Sequence, residues 1–210
     1  EDDERGIRAV FRDREHTLVV YTPAVPKENR ILSFFRDNGY ALHKRAEVLG
    51  FLSRSKKALC IAGTHGKTTT TTMLAFLLNH SHVGCSAFLG GISSNFGTNL
   101  LIDKNSDYVV IEADEYDRSF LHLYPAIAVI TAMDADHLDI YGTHEHLLEA
   151  FEEFAKQTQG ELFLRKGLKL RKRQVTGYYA AGEKTDYYAD RLRVDNGSYL
   201  FDYIGKDIEI

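Results

Sequence analysis

Residues 61–73, IAGTHGKTTTTTM, decide how the rest of this sequence is interpreted. Gly63, Gly66, Lys67 and Thr68 follow an apolar run, an arrangement typical of a loop that binds phosphate. The common pattern G-x-x-x-x-G-K-[ST], however, needs its first glycine at position 61, where this chain has Ile61. The stretch is therefore either a phosphate loop of a different, shorter kind or a glycine turn with an incidental lysine before a helix.

Composition places the chain among ordinary globular proteins. It has 210 residues, a net charge of -4, 44% hydrophobic and 27% charged residues, which allows one or two domains. The slight acidity gives no reason to expect nucleic acid as a partner, and no apolar run approaches the roughly 20 residues of a spanning helix, so no membrane insertion is expected. Two cysteines, Cys60 and Cys85, form no disulfide framework and favour a reduced, cytoplasmic protein.

The hydrophobic pattern predicts an α/β fold. Apolar runs at 107–114 and 126–133 are typical of parallel strands covered on both faces, and residues 143–156 form an amphipathic helix. Residues 68–79 are predicted to form a helix with one apolar face, made of Met73, Leu74, Leu77 and Leu78. Asn196–Gly197 predicts a hairpin near the end of the chain.

From this pattern we expect a central, mostly parallel sheet with flanking helices and an antiparallel appendage. A shorter βα portion precedes it. The predicted domains are residues 1–56 and residues 57–210, with the boundary at the basic pair before the strand ALCIA.

Acidic residues and a histidine follow the two apolar strands that come after the loop. Glu112 is the first acidic residue after one strand, and Asp134 and His137 come directly after the next. Parallel strands end at one edge of a sheet, where α/β folds bind ligands. An acidic residue on a strand beside a phosphate loop is a usual place for a magnesium carboxylate, so the three strand ends predict a site for metal and nucleotide.

The segments GTHGKTTTTTM, EADEYDRSFL and DADHLDIYG together resemble the Mur ligases, ATP-dependent amide-forming enzymes of peptidoglycan synthesis that use a shortened phosphate loop. The resemblance implies that nothing is missing at Ile61. The segments GGISSNFGTN (90–99) and VVYTPAVPKEN (19–29) are most similar to the family member that acts on UDP-N-acetylmuramate and L-alanine. The implied cofactors are ATP and Mg²⁺.

The resemblance also implies a role for each matching segment. Residues 1–56 would be part of the N-terminal UDP-binding domain, which is a Rossmann-like α/β domain. Residues 57–210 would be the central ATP-binding domain, which has a P-loop ATPase-type sheet and is incomplete at its C-terminal end. Lys67, Glu112 and His137 would be catalytic, and Thr68, Glu112 and His137 would hold metal. The phosphate-binding residues would be Gly63, Thr64, His65, Gly66, Lys67, Thr68 and Thr69. The substrate-binding residues would be Thr22, Pro23, Ala24, Asn95, Thr98 and Asn99.

Several alternatives remain open at the level of sequence. The protein could be a related ligase that attaches a tripeptide in peptide recycling, although the folate-type branch is disfavoured by the histidine of GTHGKTT. The chain could also be a module that holds nucleotide without turnover. A zinc site would use His137, His144 and His146, and the basic residues at 165–173 are read as a solvated hairpin.

Overall fold

The computed structural model describes residues 4–206 and 208–209. The chain divides into two compact units between Leu52 and Ser53, close to the boundary predicted between residues 56 and 57. That residues 1–56 bind UDP stays a prediction.

The first unit is a small βαβ arrangement. Its elements are two 3₁₀ turns (Glu4–Gly6 and Ala9–Arg12), β1 (Val19–Tyr21), α1 (Arg30–Asp37), β2 (Leu42–Lys44) and the start of α2 (Arg45–Ser55). Strands β1 and β2 pair in parallel. Helix α1 begins at Asn29, whose side chain accepts a hydrogen bond from the Leu32 N–H at 3.0 Å, as expected of an N-cap. Val19, Phe35 and Tyr40 form the buried core of this unit.

The second unit is built on one sheet. Its elements are β3 (Lys57–Ala62), α3 (Lys67–Asn79), β4 (Ser86–Phe88), β5 (Leu100–Leu101), β6 (Tyr108–Ala113), a 3₁₀ segment (Tyr116–His122), β7 (Ile127–Ile130), α4 (Leu138–Tyr141), α5 (His144–Gln157), β8 (Glu161–Arg165), β9 (Gly177–Ala181), β10 (Tyr187–Asp195), β11 (Ser198–Gly205) and β12 (Ile208–Glu209). The strand order is β12-β11-β10-β9-β8-β7-β3-β6-β4-β5. Pairing is parallel from β4 through β10 and antiparallel at both ends, which confirms the predicted α/β class.

The predicted antiparallel hairpin is present, and it extends the main sheet. Strands β10 and β11 pair as Asp195↔Ser198 around Asn196 and Gly197, whose φ values of 48° and 79° are those of a two-residue hairpin turn. Strand β10 also pairs in parallel with β9. The antiparallel strands therefore continue the same sheet as the parallel strands.

Helix α3 confirms half of its predicted apolar face, because Leu74 and Leu78 pack against the buried core. Met73 and Leu77 are instead 60% and 65% exposed, whereas Thr71 and Ala75 are fully buried. Thr71 and Ala75 are four residues apart and so lie on one helical face, which is the buried one. Threonine is a weak helix former, and the Thr71 hydroxyl is satisfied by donating to the Lys67 carbonyl at 2.8 Å.

The basic segment at 165–173 also differs from its prediction. Strands β8 and β9 on either side of it are parallel, so it is a crossover segment and the predicted hairpin is wrong. Its backbone is held by Glu152 of α5, whose carboxylate accepts the N–H groups of Arg171 and Lys172.

Both cysteines are buried and free, and burial raises the pKa of the Cys60 and Cys85 thiols. Among the residues that the structure describes, none of the helices combines the length and the apolar character needed to cross a membrane.

Helix α5 supplies most of an aromatic core. Its N-cap is Thr143, as predicted, with the side chain accepting from the His146 N–H at 3.3 Å. Phe151 and Phe154 of α5 pack with Phe120 of the 3₁₀ segment, with ring centroids 5.3 and 5.1 Å apart. All three rings are fully buried. This cluster therefore ties the segment after β6 to the helix after β7.

Replacing Phe154 with alanine is expected to lower the free energy of unfolding by about 3–5 kcal/mol, because the cavity would be enclosed by rigid aromatic neighbours. Urea unfolding followed by circular dichroism measures the loss. Phe201→Ala is the matched control, since Phe201 is 49% exposed, and its loss should stay well below that of Phe154→Ala. Equal losses would contradict this description of the core.

Candidate functional site

The loop between β3 and α3 is shorter than the common phosphate loop. Ile61 lies inside β3, is 1% exposed and pairs with Glu112 of β6 and Val129 of β7. The turn therefore begins only at Gly63, with φ of 138°, and reaches the helix through Gly66, with φ of 81°. A Cβ atom at Gly63 would lie 2.2 Å from Thr131 Oγ1 and 2.8 Å from the Ala132 nitrogen. Glycine at position 63 is thus required by both backbone angle and space.

The end of β7 holds this loop in place. The Thr64 N–H donates to the Ala132 carbonyl at 3.1 Å, and the Thr64 hydroxyl accepts from the Asp134 N–H at 3.1 Å. The Thr131 hydroxyl contacts the carbonyls of Ala62 and His65. The Thr64 side chain is therefore used to anchor the loop.

His65, Thr68 and Thr69 lie on the open side of the loop and are exposed. The His65 imidazole is 3.9 Å from the Asp134 carboxylate, and both side chains are two-thirds exposed. The first N–H groups of a helix have no partner within the helix and carry a partial positive charge. Residues 66–69 therefore present the kind of surface that binds phosphate.

Lys67 is the first residue of α3, and its ammonium is surrounded by oxygen atoms. It donates to the Gly63 carbonyl at 2.9 Å and to the two carboxylate oxygens of Glu115 at 2.9 and 2.7 Å. The Lys67 side chain is 14% exposed and that of Glu115 is fully buried. Asp114 lies farther away, 3.9 Å from the same ammonium.

Thr68 and Glu112 come together as predicted. The Thr68 hydroxyl donates to Glu112 Oε1 at 3.0 Å, and the Gly90 N–H donates to Glu112 Oε2 at 2.7 Å. Thr68 comes from the start of α3 and Glu112 from the end of β6, so the paired ends of β3 and β6 bring the two side chains together. A hydroxyl and a carboxylate beside a phosphate loop are the ligand types that Mg²⁺ takes from a protein.

His137 lies on the other side of Lys67 and faces Glu115. Its Nε2 is 3.6 Å from Glu115 Oε1, and its side chain is 32% exposed. The residue has left-handed backbone angles, with φ of 51° and ψ of 39°, and its ring meets that of Tyr116 edge to face at 5.4 Å. Within residues 4–206 and 208–209, no three or more His, Cys, Asp and Glu side chains form a group that could hold a metal ion. That His137 and Glu112 hold metal stays a prediction.

The two histidines of the zinc alternative are engaged with the backbone. His144 Nε2 lies 2.8 Å from the Met133 carbonyl, and His146 Nδ1 lies 2.9 Å from the Tyr141 carbonyl. The first contact joins the start of α5 to the segment after β7, and the second joins it to the end of α4. Both are structural roles.

The predicted substrate residues lie on loops of the two units. In the first unit, Thr22, Pro23 and Ala24 follow β1, with Thr22 half-buried. In the second unit, Asn95 and Asn99 are exposed, whereas the Thr98 hydroxyl accepts the Leu100 N–H at 3.2 Å. The roles of these residues in substrate binding remain predictions.

Glu115 is the site residue that sequence reasoning missed. It is one of four acidic residues in EADEYD, and charge runs of this kind are usually solvated. It is instead fully buried, because the chain turns at residues 115–118 and buries Phe120 two residues later. Its carbonyl accepts the Tyr141 hydroxyl at 2.6 Å, and burial raises the pKa of Tyr141 to about 12, so that hydroxyl remains a donor.

Gly90→Ala is expected to displace the Glu112 carboxylate and so to weaken the binding of Mg²⁺. An added Cβ would lie 2.2–2.4 Å from the carboxylate of Glu112 and would push it off the Thr68 hydroxyl. Gly91→Ala is the matched control, because its Cβ would meet only Thr68 Cγ2 at 3.9 Å. We expect the magnesium dependence of nucleotide binding, measured by calorimetry, to shift to higher metal concentration by at least tenfold for Gly90→Ala alone. A similar shift for both variants would contradict the prediction.

The fold and the loop define this unit as an α/β protein with a short phosphate-type loop at the carboxyl edge of its sheet. A family model described as the Mur ligase middle domain matches residues 61–210. The chain belongs to the Mur ligase family, which confirms the resemblance.

Relatives of high identity share one name. The UDP-N-acetylmuramate–L-alanine ligase of Phocaeicola vulgatus is 53% identical across 97% of this chain, which covers 46% of that relative. The enzyme of the same name from Parabacteroides distasonis is 48% identical across 100% of the chain and 47% of the relative. The chain thus spans about half the length of these relatives.

Solved structures agree with the fold. UDP-N-acetylmuramate-alanine ligase MurC from Thermotoga maritima matches with a TM-score of 0.71 and 29% identity, over 83% of this chain and 41% of that one. The UDP-N-acetylmuramate:L-alanyl-gamma-D-glutamyl-meso-diaminopimelate ligase from Neisseria meningitides matches with a TM-score of 0.73. It is 22% identical, over 90% of this chain and 65% of that one, which shows the shared fold alone.

Proposed function

We propose that the protein carrying this chain joins L-alanine to the carboxylate of UDP-N-acetylmuramate, with ATP converted to ADP and phosphate, as a cytoplasmic step in making peptidoglycan precursors. The observation that carries the proposal is the convergence of Lys67, Thr68 and Glu112 at the carboxyl ends of β3 and β6. The names and the identity of the relatives, which extends over nearly the whole chain, support the choice of substrates.

Different residues of the site would bind the phosphates of ATP, the metal ion and the UDP-sugar. Residues 63–69 would hold the phosphates of ATP, with the Lys67 ammonium between the distal ones. Thr68 and Glu112 would hold Mg²⁺, and the fit is supported by their hydroxyl and carboxylate oxygens 3.0 Å apart. The residues that would contact the UDP-sugar are Thr22, Pro23, Ala24, Asn95, Thr98 and Asn99.

A bound Mg²⁺ supplies neutralisation of phosphate charge and alignment of its oxygens. The protein's part in the first step is to hold the γ-phosphate in line with the substrate carboxylate. The carboxylate oxygen attacks phosphorus, the bond to ADP breaks, and an acyl phosphate forms. Lys67 and the N–H groups at the start of α3 face the oxygens on which negative charge accumulates.

His137, with Glu112, would hold a second Mg²⁺, which would neutralise negative charge where the muramoyl carboxylate meets the γ-phosphate. The His137 ring beside Glu115 and Tyr116 supports a fixed orientation. In the second step the amine of L-alanine attacks the acyl carbon, phosphate leaves, and the amine loses a proton as the amide forms.

The test supplies the intact protein with UDP-N-acetylmuramate, ATP and one amine at a time, and mass spectrometry identifies the product. We expect the L-alanine adduct, with D-alanine as the matched control giving little or none. Preferential addition of a tripeptide would assign the protein to peptide recycling, and nucleotide binding without any adduct would leave only a binding module.

A further inference from the structure

The Lys67 ammonium is engaged by oxygen atoms of the protein itself. It donates to the Gly63 carbonyl, with Nζ 2.9 Å from that oxygen, and to the carboxylate of Glu115, whose two oxygens lie 2.9 and 2.7 Å from Nζ. The Glu115 carboxylate and a nucleotide phosphate are both anionic acceptors, so they would compete for the same ammonium. The two contacts to Glu115 are charge-assisted and are therefore the stronger ones.

Glu115 is held where it is. Its side chain is fully buried, and its backbone carbonyl accepts both the Tyr141 hydroxyl at 2.6 Å and the Arg118 N–H at 3.0 Å. Lys67 has four rotatable side-chain bonds and begins a helix whose surface is open on the loop side. When the contact changes, the ammonium therefore moves and the carboxylate stays.

We infer that Glu115 is a positioning residue that draws the Lys67 ammonium toward its buried carboxylate and competes with nucleotide phosphate for it. The inference rests on the proposed function, because it needs phosphate to bind at residues 63–69. Nucleotide affinity would then depend on the difference in free energy between the contact of Lys67 with Glu115 and its contact with phosphate. A carboxylate at this place lowers affinity for nucleotide while it keeps Lys67 ordered.

The test is nucleotide affinity of Glu115→Gln in the intact protein, measured by calorimetry with ADP and with a non-hydrolysable ATP analogue, each with magnesium. The amide keeps the shape of the side chain and removes its charge. We expect binding to tighten on the order of tenfold, because a charge-assisted competitor becomes a neutral one. A merely structural role for Glu115 does not predict a gain in affinity.

Asp114→Asn is the matched control. The Asp114 carboxylate is 3.9 Å from the same ammonium, and its side chain is 38% exposed. The substitution therefore removes one nearby charge without removing a hydrogen bond to Lys67. Its effect on affinity should be no more than about twofold, since exposed pairs contribute little. Equal tightening by both variants would overturn the inference and indicate a general effect of charge.

Glu115→Asp gives a second measurement if the amide variant fails to fold. It keeps the charge on a shorter side chain that reaches Lys67 less well, so its affinity should fall between wild type and Glu115→Gln. Unchanged or weaker binding by the folded variants would overturn the inference. Failure of the proposed function is distinguishable, because the wild-type protein would then bind nucleotide without forming an adduct, or would not bind it.

Discussion

The Lys67→Ala variant is expected to lose ligase turnover by a factor on the order of 10² to 10³, because it removes the positive charge that, in the proposed mechanism, would act on the γ-phosphate in the transition state. The same change should also destabilise the fold by about 3–5 kcal/mol, because it leaves the fully buried carboxylate of Glu115 without its cation. Single-turnover phosphate transfer and urea unfolding measure the two effects separately.

The double variant Lys67→Ala/Glu115→Gln distinguishes these effects. Removing both charges should restore most of the lost stability and none of the lost turnover, since contacting residues are expected to couple strongly. Nearly normal turnover in the folded single variant would show that Lys67 does not act on the phosphates of ATP. An equal loss of stability in the single and double variants would show that the ion pair is not what the stability depends on.

The second large effect is expected for His137→Ala. Transfer of phosphate to the substrate carboxylate should slow on the order of 10²-fold, whereas affinity for ATP should change little, because Lys67, Thr68 and Glu112 would still hold the nucleotide in the proposed mechanism. Single-turnover transfer at saturating ATP and the dissociation constant of the nucleotide are the two measurements. A collapse of ATP affinity with normal transfer at saturation contradicts the role given to His137.

A backbone control is needed at this position, because His137 has a positive φ of 51° and alanine is strained there. Asparagine tolerates left-handed angles better than most residues. His137→Asn should therefore keep the stability of the wild type and still transfer phosphate slowly. Recovery of the wild-type rate in His137→Asn would mean that the imidazole is dispensable.

Much of the site follows from the sequence because strand ends are easy to locate. Strands β3, β6 and β7 end at Ala62, Ala113 and Ile130, and the parallel register brings these positions to one edge of the sheet. Glycine at 63 and 66 marks the loop, and Glu112 follows the apolar part of its strand directly. These features depend on local pattern, which a single sequence carries.

The sequence could not reveal which acidic residue is buried. Glu112 and Glu115 stand in one acidic segment, and only the turn that buries Phe120 decides that Glu115 points inward. The face of α3 follows from the sequence only in part. Leu74 and Leu78 pack against the core as predicted, but Thr71 and Ala75 are buried in place of Met73 and Leu77, because a run of threonines does not reveal which side of a helix faces its sheet.

In the proposed reaction, the γ-phosphate of ATP passes onto a carboxylate oxygen of the substrate. This transfer can be followed with UDP-N-acetylmuramate that carries ¹⁸O at both carboxylate oxygens, together with ATP and L-alanine, and with mass spectrometry of the released phosphate. We expect one ¹⁸O in each phosphate and one retained in the amide, because the acyl phosphate carries a substrate oxygen to phosphorus. Unlabelled phosphate, or label found in AMP, would contradict the proposed reaction.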